Sequence, residues 1–199
     1  MTLRQAARAC WCDQTETART RVRLMVEAGL LHRLASSDVG IGLEAAGHTV
    51  FTEREIRTAD AAELLADLGA RGETFAVPAG ARARHWPDLV LVPPDGRLVA
   101  VEVELTPKPA AALRRILRAY RQAGRRVVYL GTGPVVRQLH GRAAPGGWID
   151  GIAQAAGLLP TGGPDPGAGG LLRIRPFTAA DPGVARQVER HASRYRRPA

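Results

Sequence analysis

Three carboxylates and one ammonium fall within the stretch PDLVLVPPDGRLVAVEVELTPK, residues 87 to 108: Asp88, Glu102, Glu104 and Lys108. The residues around them are those of two apolar β-strands. A carboxylate on a buried strand must be paired or protonated, because its charge is costly away from water. Glu102 and Glu104 are two residues apart, so an extended chain projects them from one face. They repel one another and the acid on the neighbouring strand, and something positive must lie between them. Arginine could supply that charge as part of a structural ion-pair network. A divalent cation supplies it more directly. Mg2+, or Mn2+ in its place, takes hard oxygen ligands, commonly one or two protein carboxylates together with water and phosphate oxygens. Such a site activates water and stabilises a leaving oxygen in phosphodiester hydrolysis.

The elements that must hold these groups are legible around them. Leu89 to Val92 reads as a strand and PPDG as a tight turn, with Pro fixing φ and Gly accepting an unusual backbone angle. Leu98 to Leu105 reads as the second strand, with Val99, Val101, Val103 and Leu105 on one face. Leu98, Ala100, Glu102 and Glu104 share the other. The segment PKPAAALRRILRAYRQAG predicts an amphipathic helix ended by Gly124. Leu113, Ile116, Leu117 and Tyr120 form its core stripe, and Arg114, Arg115, Arg118 and Arg121 its basic outer face. RRVVYLG predicts a further buried strand and GPVVRQLHGRAA a helix. This order marks a βαβ unit and a partly parallel sheet.

Upstream, residues 2 to 11 predict one helix. DQTETARTRVRLMVEAGLLHRL predicts a second, with Val22, Met25, Val26 and Leu30 at helical spacing and Gly29 as its stop. Arg19, Arg21 and Arg23 lie on its polar side. Residues 36 to 47 predict a separate short helix stopped by Gly47, HTVFTEREIR an extended segment, and ADAAELLADLGARG a helix closed by glycine. Residues 160 to 170 are a Pro/Gly linker. LLRIRPF predicts a last strand, and the C-terminal residues a basic tail carrying Tyr195.

The chain has 199 residues, a formal net charge of +9 and a pI near 11.0. That charge favours a polyanionic partner, nucleic acid above all. Lys108 is the only lysine; every other basic residue counted in the charge is arginine, which suits bidentate phosphate contacts. Cys10 and Cys12 are too close for a ready disulfide, and no second Cys/His pair completes a zinc site. Reduced thiols, no signal-peptide pattern and no apolar run of membrane length together predict a cytoplasmic protein without a membrane partner.

Asp88, a hairpin turn and then Glu102-Val103-Glu104 resemble the restriction-endonuclease-like PD-(D/E)XK core. More narrowly, FTEREIR, HWPDLVL and VAVEVELTPK followed by ILRAY are similar to the replication-relaxation family of actinobacterial plasmids and mobile elements. The resemblance covers roughly residues 15 to 140. It implies an α/β fold with a restriction-endonuclease-like mixed sheet flanked by helices, preceded by a small winged-helix-like region. On that basis residues 1–35 form the winged-helix-like region, 36–159 the nuclease-like core, and 160–199 the linker, possible last strand and tail. The resemblance further implies that Glu53, Asp88 and Glu102 ligate Mg2+ or Mn2+. Glu104 would assist a metal or water and Lys108 would stabilise developing charge. Arg19, Arg23, Arg114, Arg115 and Arg118 would track DNA phosphates. Partners would be DNA and, beyond it, a second copy of the chain or replication and transfer proteins.

The family pattern ends in lysine where this chain has Glu104, and Lys108 lies four residues further on. Two readings follow. In one, Lys108 reaches back and the site is a metal-dependent phosphodiesterase. In the other, the core is degenerate, its acids pair with arginines such as Arg54 and Arg84, and the chain is a DNA-binding regulator or interaction protein. Other motifs carry less. GTGP, residues 131 to 134, reads as a tight βα turn rather than a phosphate cradle, His85 as a loop residue near Asp88, and Trp86 and Trp148 as core or rim aromatics.

Overall fold

The fold was obtained as a computed structural model that describes residues 15–58, 61–69, 74–163 and 170–193; of residues 15–28, 61–62 and 192–193 only the backbone is described. A five-stranded mixed sheet forms its centre. The strands in chain order are β1 (Thr49–Thr52), β4 (Leu89–Val92), β5 (Val99–Glu104), β6 (Arg126–Gly131) and β9 (Leu172–Pro176), and this is also their order across the sheet. The first three run antiparallel and the last three parallel. Two short hairpins lie beside it, β2 (Val77–Pro78) with β3 (Arg84–His85), and β7 (Gly141–Ala144) with β8 (Gly147–Asp150).

The alternation along β5 divides the core as its side chains dictate. Val101, Val103 and Leu105 pack with Leu31, Ala35 and Val39 of α1 (Thr15–Ala45) and with Val188 of α7 (Pro182–Ser193). Ala100, on the opposite face, packs beneath α4 (Ala110–Gln122), α5 (Gly133–His140) and α6 (Ile152–Ala155). Helices therefore flank both faces of the sheet. Leu113, Ile116, Leu117 and Tyr120 of α4 are all buried, as their spacing predicts. A third cluster joins Leu98 and Val90 to Ile56 of α2 (Glu53–Ile56), Leu65 of α3 (Ala61–Asp67) and Phe75.

The hairpin fulfils its sequence pattern. Gly96 turns with φ 69° and donates to the Pro93 carbonyl at 2.9 Å. The last strand also forms, parallel to β6. GTGP is a tight βα turn: β6 ends at Gly131, Thr132 precedes α5, and the Thr132 hydroxyl donates to the Leu105 carbonyl at 3.0 Å.

Three expected boundaries are corrected. The extended segment expected over HTVFTEREIR ends at Thr52, and a Thr52/Glu55 capping box starts α2 at Glu53. Gly29 does not stop a helix, and residues 36 to 45 are not a separate one, because α1 runs unbroken from Thr15 to Ala45. A mid-helix glycine costs only about 1 kcal/mol relative to alanine. Burying Leu31, Ala35 and Val39 on the sheet outweighs that cost. Asp38, within this continuous helix, accepts from the backbone N–H groups of Ala180 and Asp181 at 2.7 and 2.9 Å, tying down the entry to α7. Gly47 (φ 84°) does end the helix, donating to the Glu44 carbonyl at 2.8 Å. The helix expected over residues 133 to 144 stops at His140, and residues 141 to 144 become β7. Gly141 has φ 80°, and a Cβ there would collide with the Ile149 carbonyl, so the chain turns into a hairpin that only glycine permits. The helix expected at residues 2 to 11, both cysteines and Tyr195 lie outside the described residues.

Candidate functional site

The sheet register aligns the acids across neighbouring strands. Thr52 of β1 pairs with Leu89 of β4, and Leu89 with Val101 of β5. The next row therefore runs through Glu53, Asp88 and Glu102, and continues to Tyr129 and Ile174 on β6 and β9. The Glu53 N–H donates to the Asp88 carbonyl at 3.0 Å, which extends the β1–β4 ladder by one step. The expected metal-ligand set thus shares one row of backbone.

The side chains then diverge. Glu53 begins α2 and pairs with Arg57 at 3.1 Å, with both groups about half exposed. Arg57 in turn lies over the Trp86 ring, 5.5 Å from its centroid. Glu55, behind Glu53, is absorbed in a capping box: its carboxylate accepts from the Thr52 N–H at 2.7 Å.

Asp88 closes the end of the β4–β5 ladder. Pro87, just before it, has no N–H with which to continue the pairing. The Asp88 carboxylate accepts the Val103 N–H at 2.8 Å, and His32 of α1 donates from Nε2 to the Val103 carbonyl, also at 2.8 Å. The same imidazole stands 3.4 Å from Asp88 Oδ2. Its hydrogen bond with Asp88, opposed in part by burial, raises the His32 pKa above 6.5. A raised histidine pKa contributes stability that is complete below the unfolded value and lost as pH rises through the folded one. His32→Gln is therefore expected to cost melting temperature on the acid side of 6.5, with the difference from wild type shrinking at alkaline pH. Thermal melts of the two proteins across that range, with chelator present, check this; a gap that does not change with pH would refute it.

Glu102 is only 3% exposed. His85 Nε2 meets its carboxylate at 2.7 Å, and the Tyr120 hydroxyl of α4 donates to the same oxygen. His85 and Tyr120 stack edge to face, with ring centroids 5.6 Å apart. Burial, and then the Glu102 charge, hold the Tyr120 phenol well above its ordinary pKa, so it stays a donor. Tyr129, register partner of Glu102, is wholly buried with its hydroxyl unpaired among the described residues. Glu104, 6% exposed, forms an ion pair with Lys108, four residues on in the irregular segment between β5 and α4. Burial raises the Glu104 pKa, partly offset by the Lys108 charge. Burial also works against the Lys108 ammonium, but Glu104 first, and then Glu102 and Asp88, outweigh it and raise the Lys108 pKa.

The structure thus brings Asp88, Glu102, Glu104 and Lys108 to one end of β4 and β5, with Glu53 at the margin. Among the described residues no three His, Cys, Asp or Glu side chains converge as they would around a metal ion. Carboxylates are the hard oxygen donors that Mg2+ takes, but Glu53 is held by Arg57 at 3.1 Å. The acids pair with His32, His85, Tyr120, Lys108 and Arg57 rather than with Arg54 or Arg84. Sequence reasoning missed His32, Tyr120 and Tyr129 as site residues. Tyr120 and Tyr129 carry the same pattern as any core aromatic, and His32 reaches the site only because α1 crosses the sheet.

A groove of about 900 Å3 leads along α1, β1 and α2 to Asp88 and is bordered by Arg33, Arg54 and Arg57. On α4, Arg115 and Arg118 point to solvent as expected, whereas Arg114 turns into a cleft and is half-buried. Arg19 and Arg23 lie on α1, with their side chains outside the described portion. No helix among the described residues is long and apolar enough to cross a membrane. Comparison with protein-family models, curated proteins and solved structures found no match.

Proposed function

We propose that this chain is a DNA-binding protein with a nuclease-like, metal-dependent phosphodiesterase site, acting in plasmid or mobile-element replication or transfer. The observation that carries the reading is the return of Lys108 to the carboxylates: the lysine displaced from the motif pairs with Glu104, which occupies the motif's lysine position. An ammonium therefore stands beside the row containing Asp88 and Glu102. Those two acids, with Glu53 rotating in from the groove, would hold Mg2+ or Mn2+. The metal would polarise a phosphodiester and lower the pKa of an attacking water. Asp88 is already fixed in orientation by the Val103 N–H, Glu102 by His85 and Tyr120. Lys108 would neutralise charge developing on a phosphate oxygen, and its raised pKa keeps it protonated for that role. The arginine-bordered groove and the Arg115–Arg118 face would contact the DNA backbone.

A second reading has its own observation. Each acid already has a protein partner, and the side chains do not converge. That arrangement suits a non-catalytic DNA-binding regulator or interaction protein whose core keeps the acids as structural pairs.

One experiment separates the two. Supercoiled plasmid is incubated with the protein and Mn2+ or Mg2+, and duplex affinity is measured over a salt series. Nicking together with steeply salt-dependent binding supports the enzyme. Binding without nicking supports the regulator. Affinity that is flat with salt refutes both.

A further inference from the structure

A second cavity, smaller and apart from the groove, opens between α4, α5 and the β7–β8 hairpin. It measures about 230 Å3, and Arg114, Arg137 and Arg142 line it. Asp150 is the only carboxylate on its wall, and one oxygen of that group already accepts the Gly162 N–H at 2.9 Å. The three guanidinium groups make no ion pair or side-chain hydrogen bond among the described residues, and the buried Arg114 Nε has no partner. A small concavity lined by charges of one sign concentrates a counter-ion of the other.

We propose that this cavity is a binding pocket for one phosphoryl group. Guanidinium forks match phosphate oxygens bidentately, and an excess of two positive charges on the wall suits a phosphate better than a carboxylate. The volume is below the roughly 300–1,000 Å3 usual for a whole small-molecule ligand, so the pocket takes the phosphoryl group and leaves the rest of the molecule outside. The wall is built rather than incidental: Gly141 and Gly151 hold the hairpin backbone against the end of α5, where any Cβ would collide. Gln138, also on the wall, donates to the Lys108 carbonyl at 2.6 Å, so the pocket is tied to the segment that carries the ion-paired lysine. Where the phosphoryl group belongs to DNA, an identification that rests on the proposed function, the pocket anchors a backbone phosphate at a fixed distance from the carboxylate row. A free phosphate or phosphorylated small molecule presents the same chemistry.

The test uses the full chain and the double variant Arg137→Gln/Arg142→Gln, both positions being exposed and the protein expected to stay folded; circular dichroism checks that it does. The first arm measures melting temperature in inorganic phosphate against chloride at matched ionic strength. Phosphate should raise the melting temperature of the wild type and not that of the variant. No rise in the wild type, or an equal rise in both, overturns the pocket. The second arm measures duplex affinity over a salt series. A DNA phosphate in the pocket predicts a log–log slope shallower by about 1 in the variant. An unchanged slope with the phosphate response lost supports the pocket and assigns it a free phosphate compound instead. A wild type that binds phosphate but no DNA leaves the pocket standing and overturns the proposed function.

Discussion

Glu102→Gln and Asp88→Asn are each expected to lower Mn2+-dependent nicking of supercoiled plasmid by more than about 100-fold while leaving duplex affinity within about twofold of wild type. Outer-shell partners of metal ligands typically contribute about 10–100-fold, and removing a ligand's own charge should cost more. Both substitutions keep shape and acceptor. The amide carbonyl introduced at position 88 would still offer an oxygen to the Val103 N–H, and the one introduced at position 102 an oxygen to His85 and Tyr120, so loss of activity would not reflect loss of fold. Gel assays of nicking and fluorescence-anisotropy titrations provide the two readouts. Retained nicking in either variant would remove the row from the chemistry. Absence of nicking in wild type as well, with no gain in melting temperature on adding Mg2+ or Mn2+, would favour the regulator, since a cation that binds only the folded state must stabilise it.

Lys108→Met should destabilise the fold by about 2–3 kcal/mol. Breaking a fully buried ion pair costs about 3–5 kcal/mol because the remaining charge is left without a partner. Here Glu104 is 8% exposed in its side chain but Lys108 is 35% exposed, so solvent screening reduces the figure. The loss should depend on pH. Burial already raises the Glu104 pKa, and removing the ammonium raises it further. A carboxylate with a raised folded pKa carries no penalty below its unfolded pKa, and the penalty grows as pH climbs from there and is complete above the folded value. Urea denaturation near pH 5 and near pH 8 should therefore show a small deficit at the lower pH and the full deficit at the higher one. Adding Glu104→Gln to Lys108→Met should recover most of the loss. A deficit independent of pH, or no recovery, would mean that the pair is not what Lys108 contributes.

Local chemistry in the sequence was enough to specify the strand at 89–92, the Gly96 turn, the apolar face of α4 and the opposed faces of β5. Each depends on side-chain alternation or on a residue with a restricted φ, and both act over a few residues. The same local patterns identified Asp88, Glu102, Glu104 and Lys108 as a group, because a hairpin and a connection of a few residues after Glu104 keep them close together. They could not place Gly29 inside a continuous helix, since the balance there is set by Leu31, Ala35 and Val39 meeting a sheet built from residues far along the chain. Nor could they separate Arg115 and Arg118, which face solvent, from Arg114, which faces a cleft, because the cleft wall comes from α5 and the β7–β8 hairpin. The partners of the acids were hidden for the same reason. His32 lies 71 residues from Val103, and Tyr120 lies 18 from Glu102 on a different element. The charges themselves were legible in the sequence. The groups that neutralise them come from distant elements, and only the packing of α1 and α4 on opposite faces of the sheet decided which those would be.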